Sequence, residues 1–424
     1  MEHLSIENFL VIKKAEMDIK KINLLIGPQA SGKSVIAKLV YFFREFLDST
    51  YLQSIQDDSS KKNIQKAGLD SFEKYFPKYT WNDKDFEIKY QVNEFEVSVS
   101  KLSGKQASIK LDYSPKLMSL HKQLKALFKE KLRLYEEGEK LTSQFKSKYR
   151  DPFWDLIIEH VYTMDIGKNF TSSLFIPAGR SFFANLQENV FTFLAGNIDI
   201  DPFIINFGHR YQNAKRIYER ELYLKTAESD LESRKKVDKL AQDVLVGKYK
   251  YEDEKDWIES KKTKVNLSNA SSGQQESLPM LLVLSTWPFR GRRNKRFTFF
   301  IEEPEAHLFP VSQKYIVSIF ALIYKTRGSE IFITTHSPYI LTAINNLILA
   351  NDIALQKGEK AISKLVDPQE CISFEDVSAY TLEKGELVSI MNEEDRLIGS
   401  SIIDSVSDEF DHVFDSLLKI QMGK

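Results

Sequence analysis

Eight residues, Gly27-Pro28-Gln29-Ala30-Ser31-Gly32-Lys33-Ser34, fit the phosphate-binding pattern GxxxxGK[ST]. In such a loop glycines let consecutive backbone N–H groups turn inward and cradle phosphate oxygens at a helix N-terminus. Lys33 then reaches the β- and γ-phosphates, and the Ser34 hydroxyl ligates Mg²⁺. Far along the chain, the apolar run Phe297 to Ile301 ends in Glu302-Glu303-Pro304. A buried strand there delivers two carboxylates pointing to different sides. One suits the water shell of a metal ion and is assigned to Glu302. The other, Glu303, is assigned to the attacking water as general base. The next apolar run, Ile331 to Thr335, delivers His336, placed to hydrogen-bond a γ-phosphate and sense its loss. Between these groups in sequence lies Ala270-Ser271-Ser272-Gly273-Gln274, small and polar, ahead of an apolar helix over Glu276 to Leu284. By itself it reads as a helix N-cap. With a phosphate nearby, Ser271 and Gly273 offer a hydroxyl and N–H groups at a helix N-terminus.

Elements that position these groups follow from periodicity. Residues 3–26 alternate apolar runs with turns and predict two or three strands, the last, Ile22 to Ile26, buried and feeding the glycine loop. Ser34 to Leu47 carries Ile36, Leu39, Val40 and Phe43 on one face, as a helix requires. Residues 1–50 form a first core segment. An insertion over 51–172 follows, with a hairpin near Phe86 to Val99 and a helical arm whose leucines at 117, 120, 124, 127, 134 and 141 lead to Phe145 in heptads. Over 115–150, eight Lys and two Arg against four Glu leave a net of +6, either a solvated face or a nucleic-acid surface. Leu174 to Pro177 marks a return to the core over 173–208. A second charged helical arm, 209–264, is expected to pack with the first as a projection. A second core segment spans 265–392. An acidic amphipathic helical tail, 393–424, carries an apolar stripe from Ile402 to Leu417 and suits the core or a docked partner.

Bulk composition narrows the class. With 424 residues, 42% hydrophobic and 28% charged, the chain supports a large packed core. A formal net charge of −1 confines any nucleic-acid contact to local patches, the basic arm or Arg290 to Arg296. Cys371 is the only cysteine, so no intrachain disulfide forms and a cytoplasmic location is expected. No apolar run approaches the roughly 18 residues that span a bilayer.

Taken in order, these motifs resemble the ABC-type ATPase heads of the SMC/RecF and OLD-like superfamily. The likeness rests on residues 1–48 and 265–345, and implies an α/β fold with mixed β-sheets and helical insertions. By that resemblance Gly27 to Ser34 is Walker A, Ala270 to Gln274 the signature, Phe299 to Glu303 Walker B and His336 the switch histidine. It implies ATP and Mg²⁺ as cofactors and a head-to-head homodimer. Each ATP would lie between Walker A of one chain and Ser271, Ser272, Gly273 and Gln274 of the other. Glu302 replaces the usual Asp, as is common in the OLD-like branch, and the stretch Glu305 to Phe309 lacks the Asp that normally ends a D-loop. Gln187 is the candidate for the metal-binding Q-loop glutamine. Only 88 residues follow His336, without a spaced acidic triad or a metal-binding cysteine pattern. The chain is thus similar to stand-alone ATPase subunits of anti-phage systems such as Septu and PARIS, which act through a separate effector. The competing expectations are a DNA-repair ATPase gripping DNA and a scaffold that binds ATP with little turnover.

Overall fold

The computed structural model describes residues 1–81, 83–101, 109–141, 153, 160–161, 172–184, 200–219, 228–261, 263–290, 296–399, 414, 417–418 and 421. Its centre is an eleven-stranded mixed sheet. One half is antiparallel: β1 (Glu2–Phe9), β2 (Ile12–Ile19), β4 (Phe86–Val92), β5 (Phe95–Lys101) and β6 (Ile109–Tyr113) pair in the order β6-β5-β4-β1-β2. The other half is parallel, built from β3 (Ile22–Ile26), β7 (Ser172–Ile176), β11 (Phe297–Glu302), β12 (Glu330–Thr335) and β13 (Val377–Glu383) in the order β13-β3-β12-β11-β7. The hairpin partner of β13, β14 (Glu386–Ser389), joins the halves by pairing with β2.

Coverage of the two faces explains the residue patterns. Strands of the parallel block are largely apolar because both faces are buried. In β3, Leu25 joins one core cluster, while Ile22, Leu24 and Ile26 join the other. Phe300 and Phe332 face the first cluster; Phe299, Ile301, Ile331 and Ile333 face the second. The first cluster is closed by α1 (Lys33–Glu45), α2 (Leu52–Gln56), α3 (Lys61–Tyr75) and the first half of α4 (Pro115–Leu141). The second is closed by α5 (Pro202–Glu219), α6 (Glu228–Leu245), α7 (Ser272–Thr286), α8 (Pro310–Arg327) and α9 (Pro338–Lys357). At the end of α1 the buried Arg44 donates to both carboxylate oxygens of Glu2, at 2.8 and 2.6 Å, and to Thr298 Oγ1 at 2.6 Å. It thereby ties α1 to β1 and β11.

Several expectations change. Residues 209–264 are not helical throughout: after α6 the strands β8 (Lys248–Glu252), β9 (Lys255–Glu259) and β10 (Lys264–Asn266) form a small antiparallel sheet. Tyr249, Tyr251 and Ile258 share one face and Trp257 lies on the other, which suits a two-sided strand pair better than a helix. Buried Lys215 and Asp256, 2.6 Å apart, fasten this sheet to α5. Helix α6 packs on α7 and α8 against the core rather than projecting beside α4. In α4, Leu117, Leu120, Leu124 and Phe128 are buried in the core, whereas Leu134 is exposed, so the heptad seam is a core contact for its first half. Its basic residues are partly neutralised, with Lys125 and Lys129 at 2.6 and 3.0 Å from Asp58. Those bonds pull the Asp58 carboxyl down to about 2. The start of the tail is a hairpin, β15 (Met391–Asn392) with β16 (Leu397–Ile398), held by Asn345 through two 2.8 Å bonds to Ile398. Phe145, Gln187, residues 291–295 and most of the tail beyond Gly399 lie outside the described residues.

Candidate functional site

Parallel strands end at one edge, where ligands of open α/β sheets gather. Because β3, β12, β11 and β7 are neighbours in that order, their C-terminal loops stand side by side. Gly27 to Gly32 follows β3, His336 follows β12, Glu302 ends β11 with Glu303 just beyond it, and Pro177 to Arg180 follows β7.

The glycine loop enters α1 through Gly32 at φ 112°, in the left-handed region, with no side-chain cap on the helix. A Cβ there would lie 3.0 Å from Val11 Cγ2 and 3.1 Å from Ile12 Cγ1, so packing and backbone both require glycine. Lys33 is buried, and its ammonium donates to the carbonyls of Gly27 and Pro28 at 2.8 and 2.6 Å. Burial lowers the Lys33 pKa; Glu303 and Glu305 act in the opposite direction. Ser34 is exposed at the first turn of α1.

His336 sits between the lysine and a carboxylate. Its Nδ1 is 3.5 Å from Lys33 Nζ and its Nε2 is 3.3 Å from Glu303 Oε1. The histidine backbone is set by Glu305, whose Oε1 accepts from the His336 N–H at 2.7 Å and from Thr335 Oγ1 at 2.6 Å. Glu303 has left the strand at φ 43°, while its N–H still donates to the Thr334 carbonyl at 2.8 Å. That turn separates the two adjacent acids. Glu302 stays buried, with Oε2 accepting from the Ala178 N–H at 3.3 Å, and Glu303 is partly exposed beside His336.

Among the described residues, three buried polar atoms here have no hydrogen-bond partner: Ser31 Oγ, Glu302 Oε1 and Glu305 Oε2. A buried polar atom without a partner is costly. An ammonium resting on its own loop carbonyls, a buried hydroxyl and inward-facing carboxylate oxygens form a donor and acceptor set that fits a polyphosphate with a divalent cation.

The segment Ser271 to Gln274 lies at the start of α7. Ser271 is the N-cap, accepting from the Gln274 N–H, while the Gln274 side chain accepts from the Ser271 N–H. This reciprocal capping box is the plain structural role of the motif. Ser271 and Ser272 are nonetheless exposed, and no hydrogen bond or ion pair among the described residues joins Ser271 to Gln274 with the Gly27 to Ser34 loop. Gly273 packs instead on the loop after β11, where an added Cβ would meet the His307 carbonyl oxygen at 2.8 Å.

Lys33, His336, Glu302 and Glu303, far apart in sequence, are thus brought to one edge, and the Ser271 segment is not bonded to them. Two further residues of the site carried no assigned role in the sequence. Glu305 completes the run Glu302-Glu303-Pro304-Glu305, which is itself the signal. Arg180 lies in Ile176-Pro177-Ala178-Gly179-Arg180, where one charged residue after a buried strand marks a position.

No helix among the described residues is long and apolar enough to cross a membrane. No curated protein matches the chain. Among solved structures, the Smc head domain with an extended coiled coil from Pyrococcus furiosus, bound to the C-terminal domain of ScpA, is 11% identical with a TM-score of 0.39, covering 96% of this chain and 100% of that one. The SMC head domain from Thermotoga maritima is 10% identical with a TM-score of 0.36, covering 92% and 97%. The recombination mediator RecF with ATPrS is 10% identical with a TM-score of 0.31, covering 92% and 97%. The family model for the AAA ATPase domain matches residues 1–341. That match takes in every strand of the parallel block except β13, and the chain belongs to the AAA ATPase domain family: it binds ATP and hydrolyses it.

Proposed function

We propose that this ATPase works as a homodimer whose two sites are each shared between chains, and that the dimer's opening and closing controls a separate effector protein. The observation that supports the shared site is the exposed start of α7. Its capped N-terminus presents Ser271 and Ser272 to solvent without a bond to the chain's own glycine loop. A fifteen-residue helix with two exposed serines at its N-terminal end suits a phosphate brought by another molecule.

In this reading the N–H groups of Gly27 to Ser34 and the Lys33 ammonium hold the phosphates of ATP. Ser34 would hold Mg²⁺ and Glu302 would support its water shell. The ion, when bound, neutralises charge that builds on the phosphate oxygens. Glu303 takes the proton of the attacking water. His336, between Lys33 and Glu303, donates to the γ-phosphate and keeps the base oriented. Ser271, Ser272, Gly273 and Gln274 of the second chain close the site. The effector and a role in anti-phage defence rest on the resemblance to stand-alone ATPase subunits of such systems.

Mixing two inactive variants tests the shared site. Lys33→Ala and Ser271→Arg should each be inactive alone. In a mixed dimer one of the two sites combines intact Lys33 with intact Ser271. Equal mixing makes half the dimers mixed, with one complete site in each, so turnover should return to at most about one quarter of wild type, and to less where the two sites cooperate. Mixed dimers that demonstrably form and stay inactive would refute the shared site. For the effector, the protein encoded by the neighbouring gene should co-purify with the full-length chain; full biological activity from the ATPase expressed alone would remove that part.

A further inference from the structure

Arg180 stands on the loop after β7 with its side chain wholly buried. Its guanidinium makes four hydrogen bonds, all to main-chain carbonyls. Nε donates to Glu276 at 3.0 Å, Nη1 to Pro177 at 2.8 Å and to Glu302 at 2.7 Å, and Nη2 to Glu303 at 2.9 Å. Its own N–H donates to Glu276 Oε2 at 2.8 Å, and Ser181 Oγ donates to Glu276 Oε1 at 2.8 Å. Glu276 is buried near the start of α7, a few residues after the exposed Ser271 and Ser272. One planar cation thus grips the beginning of α7 and both peptides that aim the acids at the end of β11. The second of those peptides belongs to Glu303, whose left-handed backbone is an uncommon conformation for a residue with a side chain. Arg180 Nε also lies 3.6 Å from Glu276 Oε2, and packing alone does not call for this arrangement, since apolar side chains stabilise a core as well as such a buried ion pair does. Its distinctive product is a fixed distance between two functional elements.

We propose that Arg180 is a positioning residue coupling the N-terminus of α7 to Glu303. Engagement of α7 by the nucleotide of the partner chain then sets the base that acts in the chain's own site. This rests on the shared-site reading and extends it: phosphates in one site bear on α7, Glu276 and Arg180 pass the displacement to the Glu303 peptide, and the second site responds. The two sites of a dimer therefore hydrolyse cooperatively.

The test compares Glu276→Gln, Arg180→Lys and the double variant with wild type. Three quantities are read: affinity for a fluorescent ATP analogue, ATP-dependent dimer formation, and turnover against ATP concentration. Lysine keeps the charge but cannot bridge three loops, and Gln keeps the shape of Glu276 without its charge. Both variants should bind the analogue within about threefold of wild type and still dimerise. Turnover at saturation should fall about tenfold or more, and the Hill coefficient should drop from above one to one. The double variant should be no worse than the weaker single variant, as expected of two residues acting through one contact. Losses that multiply in the double variant overturn the coupling. So does a fall in ATP affinity matching the fall in turnover, wild-type turnover and cooperativity in a folded variant, or a wild-type Hill coefficient of one with dimers present. If Arg180→Lys does not fold, Glu276→Gln decides alone: wild-type turnover and cooperativity in that variant overturn the coupling. Absence of any ATP-dependent dimer in wild type would instead remove the shared site itself.

Discussion

Gly273→Ala separates the work of the α7 N-terminus from its contribution to stability. The added Cβ would sit 2.8 Å from the His307 carbonyl oxygen and 3.3 Å from Leu308 Cδ2. Leucine can give way; the carbonyl cannot readily do so. His307 is already at φ 59°, and its loop is tied by the N–H groups of Ala306 and Leu308 to the carbonyls of Glu303 and Glu305 at 3.1 and 2.9 Å. Overpacking of this kind costs about 1–3 kcal/mol. Alanine in place of glycine within a helix returns about 1 kcal/mol. The net destabilisation is then about 0–2 kcal/mol. At roughly 2 °C per kcal/mol for a long chain, Tm falls by about 4 °C or less. Turnover should suffer far more. Relief of the clash moves a loop whose Glu305 sets the His336 backbone, and a displacement near 1 Å at a catalytic group costs about 100-fold. Thermal melting and phosphate release on the same sample provide the assay. Gly208→Ala, where the new Cβ meets only the Phe183 ring, serves as the packing control. Turnover of Gly273→Ala equal to wild type, or no lower than in the Gly208 control, would refute the reasoning.

Lys33→Ala should weaken ATP binding by about 10- to 150-fold, the equivalent of a charged hydrogen bond of about 1.5–3 kcal/mol, with little change in stability. The lost bonds to Gly27 and Pro28 are offset by relief of a buried charge; unchanged affinity for a fluorescent ATP analogue would remove the phosphate-loop assignment. The same residue predicts a pH dependence. Burial holds the folded pKa of Lys33 below its ordinary 10.5, so between those values the unfolded chain keeps a proton the native chain has lost, and stability gains with rising pH. ATP affinity should run the other way, falling as pH rises through the folded pKa, and Lys33→Ala should flatten both trends in matched titrations. Glu303→Gln should bind ATP and accumulate dimers but lose about 10²- to 10⁴-fold in turnover, the amount carried by a general base. Normal single-turnover rates in that variant would move the base elsewhere.

Much of the parallel block was legible because strands buried on both faces leave continuous apolar runs. Ile22 to Ile26, Phe297 to Ile301 and Ile331 to Thr335 announce both their structure and the polar residues at their ends. The N-cap within Ala270 to Gln274 was legible from small polar residues ahead of an apolar helix, though not the reciprocal bonding of Ser271 with Gln274. The small sheet at 248–266 was not, since its lysines and glutamates alternate in a way that also suits a solvated helix, and only contact with α5 through Lys215 and Asp256 selects strands. Nor does sequence reveal that Glu303 adopts a left-handed backbone, which depends on a peptide held by Arg180 from 123 residues away. The apolar spacing of α4 predicted a seam between arms, but periodicity identifies a buried face without naming what covers it.

The place of β3 in the sheet also has consequences while the chain is being made. Its Leu24 lies between Ile333 of β12 and Ala379 of β13, so both neighbours are encoded more than 300 residues downstream. The antiparallel half can assemble once residue 113 has emerged. The glycine-loop strand must wait for residue 381, a delay of roughly 13–54 s at about 5–20 residues per second of synthesis. Until residue 335 is made Ile22 to Ile26 offers two open hydrogen-bonding edges, and until residue 381 one, the geometry most prone to pairing with another nascent chain. ATP cannot help by binding early, because the loop that would hold it has no finished sheet behind it. Ribosome pausing before residue 381 and the availability of holding chaperones are therefore expected to set the yield of active enzyme, and prematurely terminated chains to aggregate instead of persisting as defective ATPases.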